Sequence, residues 1–277
     1  MKASSATEAL AVARASGLDR LDAQLLLCQV LARDRSWLLA HGDHPLDAAQ
    51  RRRFDADCAR RAAGEPLAYL VGEKEFHGLR LHVDRAVLVP RPDTETLVDW
   101  ALKLLAEGPP HPAIADLGTG SGAIALAVAR SRPDARVCAV ELSPLALSVA
   151  RANGLRLGIE VEWLLGDWWQ PLAGRRFEMV LCNPPYIAAA DPHLRALRHE
   201  PQLALTPSGD GLSALRAVAA GATQHLLAGG WLLVEHGHDQ GDAVSALLRD
   251  AGLVAVQTRT DLAGWPRCTA GQLGGRL

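Results

Sequence analysis

Downstream of residue 113 the chain alternates short apolar runs with amphipathic helical stretches, and this rhythm constrains its fold more than any other feature. Residues 114–117, 136–141, 160–165, 177–182 and 231–235 read as strands, and 123–130, 144–153 and 212–227 as helices. Strand–helix–strand repetition folds as a doubly wound, mostly parallel α/β sheet, because each crossover helix packs back on the sheet with one hand. Residues 253–260 and 268–273 read as two more strands, a closing hairpin.

The segment ahead of that rhythm is different. Leu10, Ala13, Leu18, Leu21, Leu25, Leu26, Val30 and Leu31 recur at near-helical spacing. A further helix is expected over 45–63, with Leu46, Ala49, Phe54 and Cys58 on its inner stripe. After Glu75, Phe76, Leu79, Leu81 and Val83 alternate, followed by Val87 and Val89, which suggests a hairpin turning at Asp84-Arg85. Pro90-Arg91-Pro92 stops it, because proline cannot donate to a ladder. Asp93 reads as the N-cap of a helix bearing Leu97, Val98, Ala101, Leu104 and Leu105.

Charge and cysteine usage narrow the function class. The 277 residues carry 29 basic and 31 acidic side chains, a net charge of −2. The N-terminal 75 residues hold eleven of each. Proteins held mainly by nucleic-acid phosphates carry a basic excess, which is missing here. Of the 29 basic residues 26 are arginine, a skew that base composition of the gene explains as readily as function does. The hydrophobic share of 49% excludes global disorder. The five cysteines form no CxxC pair, so a reducing compartment is expected rather than a disulfide framework. Glu8 and Arg14 interrupt any signal-peptide core, and no run of about 18 apolar residues would span a membrane. A cytoplasmic protein without a membrane anchor is the expectation.

Asp116-Leu117-Gly118-Thr119-Gly120-Ser121-Gly122 follows a strand and opens a helix. Glycines there let backbone approach a ligand closely. Glu141 ends the next strand, placed to accept both hydrogens of a ribose diol. This pair points to a nucleoside-containing cofactor, with NAD and S-adenosylmethionine both open. After the third strand, Asp167 and Trp168 could accept from an adenine amino group and cover its face.

The fourth strand ends in Asn183-Pro184-Pro185-Tyr186. Proline fixes its own φ and restrains the preceding residue, so this loop is rigid. The Asn183 side-chain oxygen and the Pro184 carbonyl could accept the two hydrogens of a planar –NH₂ group and aim its nitrogen at a methyl donor. They would also stabilise the positive charge that develops there. Tyr186 offers a flat face for stacking.

Asn-Pro-Pro-Tyr with the glycine loop resembles the class I S-adenosylmethionine-dependent amino-methyltransferases, which decides between the two cofactors. Val89-Pro90-Arg91-Pro92-Asp93-Thr94-Glu95, His199-Glu200-Pro201-Gln202-Leu203-Ala204-Leu205, Gly209-Asp210-Gly211-Leu212 and Asp261-Leu262-Ala263-Gly264 with Arg267 resemble the HemK/PrmC family. These are the peptide chain release factor glutamine methyltransferases. The resemblance spans essentially the whole chain. It implies a Rossmann-like seven-stranded class I methyltransferase domain over 93–277, a β-hairpin linker over 76–92 and a small all-helical substrate-recognition domain over 1–75. It implies methylation of the side-chain amide of the glutamine in the Gly-Gly-Gln motif of class I release factors.

Carried over to this sequence, Gly118, Thr119, Gly120, Ser121 and Gly122 line the cofactor. Glu141 takes the ribose, a position where many relatives have Asp. Asp167 and Trp168 flank the adenine. Asn183 meets both cofactor and substrate, and Pro184, Pro185 and Tyr186 complete the substrate slot, with Asn183, Pro184 and Tyr186 as the catalytic set. Thr206-Pro207-Ser208-Gly209 departs from the glycine-rich form expected there. No metal is expected, and His236 and His238 read as structural. A monomer without stable nucleic-acid partners is expected. The alternatives are a glutamine methyltransferase of a ribosomal protein, an adenine or guanine amino-methyltransferase, and a non-enzymatic adapter, which the intact motifs disfavour.

Overall fold

The computed structural model describes residues 5–275, which divide into two compact units, 5–73 and 74–275. The first unit is helical: α1 (Ala6–Ala15), α2 (Arg20–Leu31), α3 (Arg35–Ala40), α4 (Ala48–Ala62) and α5 (Leu67–Val71). Four of these begin at short polar caps. Ser5, Asp19, Asp34 and Asp47 each accept from orphan amides of the first turn, and Ser5–Glu8 and Asp47–Gln50 form capping boxes. Ala6, Ala9, Leu26, Leu27, Leu38 and Phe54 form this unit's own apolar centre. Leu21 and Ala49 fall outside it, on the exposed first turns of α2 and α4. The α4 helix starts at its Asp47 cap rather than at Pro45.

A hairpin comes next in the chain, β1 (Glu73–Phe76) and β2 (Leu79–His82). Its turn is His77-Gly78, not Asp84-Arg85: both residues adopt positive φ, 49° and 75°. Two such residues are what a two-residue hairpin turn requires. Residues 83–91 then run without regular structure. Asp93 does not cap a helix. It lies in a 3₁₀ turn, Pro92–Thr94, ahead of α6 (Glu95–Ala106), and its carboxylate faces Arg267 at 3.6 Å.

The sheet then builds as β3 (Ala113–Leu117), α7 (Ala123–Ser131), β4 (Arg136–Glu141), α8 (Pro144–Leu157), β5 (Glu162–Leu165), β6 (Phe177–Cys182), α9 (Ser213–His225), β7 (Leu226–Glu235), α10 (Gly241–Asp250), β8 (Leu253–Thr260) and β9 (Pro266–Leu273). Seven strands lie in the order β5-β4-β3-β6-β7-β9-β8. The first five are mutually parallel, and β9 runs antiparallel between β7 and β8. The closing hairpin is therefore folded into the sheet. Strands β3, β4 and β6 are apolar on both faces because helices cover both.

Register places the site. Leu117 pairs with Val140 and with Cys182, Cys182 with Val234, and Glu141 with Leu165. The carboxyl ends of all five parallel strands thus lie along one edge. The order of connection reverses between β3 and β6, and open α/β sheets bind ligands at that switch point.

Candidate active site

The turn after β3 is built on positive-φ glycines: Gly118 at 73°, Gly120 at 58° and Gly122 at 84°. At Gly120 a Cβ would meet open space, so the backbone there is bare toward the cavity. At Gly122 a Cβ would lie 3.0 Å from Leu126 and 3.1 Å from Trp163, so this glycine closes α7 onto the sheet. Beneath the turn, Asp116 is fully buried. Its Oδ2 accepts from the Thr119 hydroxyl at 2.6 Å and the Ala125 amide at 3.2 Å, while Oδ1 has no partner. Burial pushes this carboxyl up to about 7.

A cavity of about 390 Å³ lies over the turn. Gly118, Gly120, Glu141, Asp167, Trp168, Asn183 and Pro185 line it, so four strand ends converge there. Thr119, Ser121 and Gly122 do not face it. Thr119 is turned down to Asp116, and the Ser121 carbonyl accepts from Asn153 at 2.9 Å. They support the loop rather than line the cavity.

Glu141 Oε2 accepts from the Gly120 amide at 2.8 Å and Oε1 from the Ser143 amide at 2.9 Å. Each oxygen keeps a second lone pair for a diol. Trp168, held at φ 40°, lays its ring across Gly118, where an added Cβ would stand 3.4 Å from it. The remaining wall is one that the strand-end motifs do not mark. Val87 and Leu88 line it from the irregular stretch after β2, and Leu203, Ala204, Thr206 and Pro207 from the stretch before α9. Of these, the resemblance singled out Leu203 and Ala204 without giving them a place, and Thr206 and Pro207 stand where the sequence departs from the expected form. Glu200 joins the two stretches, accepting from the Val89 amide at 3.1 Å and from the Arg91 guanidinium.

A second cavity, of about 280 Å³, is lined by Asn183, Pro184, Tyr186, Arg91, Leu197 and Glu235 among others. Asn183, Leu88 and Ala204 border both cavities. The Asn183 amide nitrogen donates to Thr94 Oγ1 at 3.1 Å, which leaves its oxygen as the free acceptor. The loop is pinned elsewhere too. Gln240 donates to the Tyr186 carbonyl at 3.0 Å, and Gly211 passes so near that a Cβ would sit 2.4 Å from that oxygen. The Tyr186 hydroxyl donates to Glu235 at 3.1 Å. Thr94 stands inside the 89–95 motif without a role there, and Glu235 only ends a strand run; the tertiary fold alone brings them to the loop.

His236 is buried, with its ring nitrogens against the Gly237 carbonyl and the Thr269 hydroxyl, and the His238 ring stands edge-on to Trp265. Both contacts are structural. Among the described residues no cluster of His, Cys, Asp or Glu could hold a metal ion, and no helix is long and apolar enough to cross a membrane.

This geometry can be set beside known proteins. Residues 4–72 match the PrmC N-terminal domain profile and residues 94–242 the methyltransferase small domain profile. The release factor glutamine methyltransferase of Xylella fastidiosa is 49% identical over 270 residues, covering 96% of this chain and 98% of its own. The chain belongs to the release factor glutamine methyltransferase family. The enzyme of that description from Burkholderia pseudomallei is also 49% identical, with 95% of each chain covered. A solved methyltransferase structure from Pyrococcus furiosus shares the fold, at 17% identity and a TM-score of 0.54, covering 78% of this chain and 97% of its own. The seven-stranded order observed here and the sequence family therefore agree on an S-adenosylmethionine-dependent methyltransferase.

Proposed function

We propose that this chain methylates the side-chain amide nitrogen of the glutamine in the Gly-Gly-Gln motif of class I release factors. One observation carries the chemistry: the two cavities meet at Asn183, whose nitrogen is tied to Thr94 so that its oxygen is the free acceptor. The name shared by the relatives at 49% identity supplies the substrate class.

The first cavity suits S-adenosyl-L-methionine. Its volume of about 390 Å³ lies within the range of small-molecule sites. The bare backbone at Gly120, the diol acceptor Glu141 and the Trp168 ring match the methionyl, ribose and adenine parts. When bound, this cofactor supplies an electrophilic methyl group on a sulfonium sulfur.

The chain's own residues do the rest. In the second cavity the Asn183 Oδ1 and Pro184 carbonyl accept the two hydrogens of the glutamine amide and turn its lone pair toward the first cavity. Transfer would break the methyl carbon–sulfur bond, leave the neutral thioether S-adenosylhomocysteine and put positive charge on the nitrogen, which the two acceptors would stabilise until the amide gives one proton to water. The Tyr186 ring walls the slot and keeps the amide plane fixed. Most of the catalysis comes from holding donor and acceptor in line.

The helical unit serves as the recognition domain in this reading, since one glutamine offers too little surface for specificity. The near balance of charge favours a protein substrate over a nucleic acid. Transfer of labelled methyl groups is to be compared across purified release factor, ribosomal proteins, DNA and RNA. Labelling of release factor above all others is expected. Preferential labelling of a ribosomal protein or a nucleic acid would overturn this assignment.

A further inference from the structure

A methyl group passing from the first cavity to the second crosses a gap framed by the residues that border both: Asn183, Leu88 and Ala204. Asn183 is held by Thr94. Leu88 and Ala204 stand on segments far apart in sequence, and neither belongs to the sheet. Something else has to fix their spacing.

Glu200 is placed to do so. Its side chain is 2% exposed, and it lines neither cavity. Oε2 accepts from the Val89 amide at 3.1 Å, and Oε1 from the Arg91 guanidinium. A carboxylate buried this far needs charge and hydrogen bonds to offset its lost hydration, and Arg91 supplies both. Val89 directly follows Leu88. Glu200 itself stands just ahead of the 3₁₀ turn Gln202–Ala204, which carries the other side of the gap.

The sequence makes this clasp stiff. Val89, Arg91 and Glu200 each precede a proline, Pro90, Pro92 and Pro201. Proline fixes its own φ and confines the residue before it to extended backbone. Arg91 shows that conformation, at φ −100° and ψ 143°. A shift at the clasp therefore finds little local rotation to absorb it, and it passes to Leu88 on one side and Ala204 on the other.

We propose that Glu200 is a positioning residue for methyl transfer: by clasping Val89 and Arg91 it sets the width of the gap between the two cavities, so that methyl donor and substrate amide meet in line. The inference rests on the glutamine methyltransferase reading for the identity of the two occupants. It gives a role to the 89–95 and 199–205 motifs, which hold the three partners and both neighbouring wall residues except Leu88.

Two variants test this from opposite sides. A carboxylate offers one oxygen to each donor, whereas an amide has one oxygen and would set its –NH₂ against the other donor. Glu200→Gln thus keeps the shape and breaks the clasp. Leu88→Ala keeps the clasp and widens the gap directly. With release factor as substrate, both are expected to lose about tenfold or more in kcat, with KM and cofactor Kd within about threefold. In the full-length protein without substrate, hydrogen exchange of the Val89 amide, followed by NMR, is expected to quicken about tenfold or more in Glu200→Gln and to stay unchanged in Leu88→Ala. Normal kcat in either variant overturns the proposal, and so does unchanged Val89 exchange in Glu200→Gln. A cofactor Kd that rises as far as kcat falls also overturns it, since the clasp would then serve cofactor binding alone. Should Glu200→Gln fail to fold, Leu88→Ala decides by its kcat. A wild type that leaves release factor unmethylated counts against the substrate assignment alone, because Val89 exchange is read without substrate.

Discussion

Asn183 carries the reaction in this account through one oxygen. Replacing it with alanine removes an acceptor for the developing charge without touching the glycine turn or Glu141. Asn183→Ala is expected to lose roughly 30- to 1,000-fold in kcat, about 2–4 kcal/mol, while cofactor affinity measured by calorimetry stays within a few-fold. Two buried carboxyls give a separate, pH-linked expectation. Asp116 and Glu235 are both raised to about 7, from 3.8 and 4.5. The folded state holds their protons more tightly than the unfolded chain, so stability falls as pH rises from about 4 through 7. Urea unfolding at pH 5 and 8 is expected to show the loss, and Asp116→Asn to reduce it. Asn183, Glu141 and Trp168 were legible in the sequence because they sit at fixed offsets from strand ends. Glu235 was not, and Thr94 showed only as one residue of the 89–95 motif, because their contacts to the loop exist only once the 3₁₀ turn and β7 are packed beside it.

Among the elements, the turn before α7 is the most exacting. Gly122 combines φ 84° with neighbours at 3.0 and 3.1 Å from any added Cβ. Gly122→Ala is expected to cost about 1–3 kcal/mol by strain and overpacking, seen as a lower urea midpoint. Asp47→Ala removes the capping box of α4 and is expected to cost about 1 kcal/mol within the helical unit. Strands β3, β4 and β6 could be read from the sequence because unbroken apolar runs mark strands buried on both faces. The hairpin turn was harder to place. Alternation of apolar residues continues from Phe76 to Val89, and only backbone conformation shows that the chain reverses at His77-Gly78. Asp93 had a cap's sequence position, but a 3₁₀ turn intervenes and turns its carboxylate to Arg267. The wall around 199–207 was likewise visible as a pattern of residues, and its place over the site came only from Glu200 bridging to Val89 and Arg91.

For the whole molecule, the alternation of strands and helices was enough to predict the layered sheet, since only one handed winding satisfies it. The exchange of β9 into the place between β7 and β8 lay beyond periodicity, because it depends on antiparallel pairing across 266–273. Each unit has its own apolar centre, so loss of residues 1–73 is expected to leave cofactor binding intact and to weaken release factor recognition as a rise in KM. The central claim is that the acceptor is one glutamine side chain. It is tested most directly by peptide mass spectrometry of purified release factor after incubation with this protein and S-adenosylmethionine. A single methyl group on the amide of the Gly-Gly-Gln glutamine, lost when that residue is changed to alanine, is the result expected. A methyl group elsewhere, or equal labelling of the alanine variant, would contradict it.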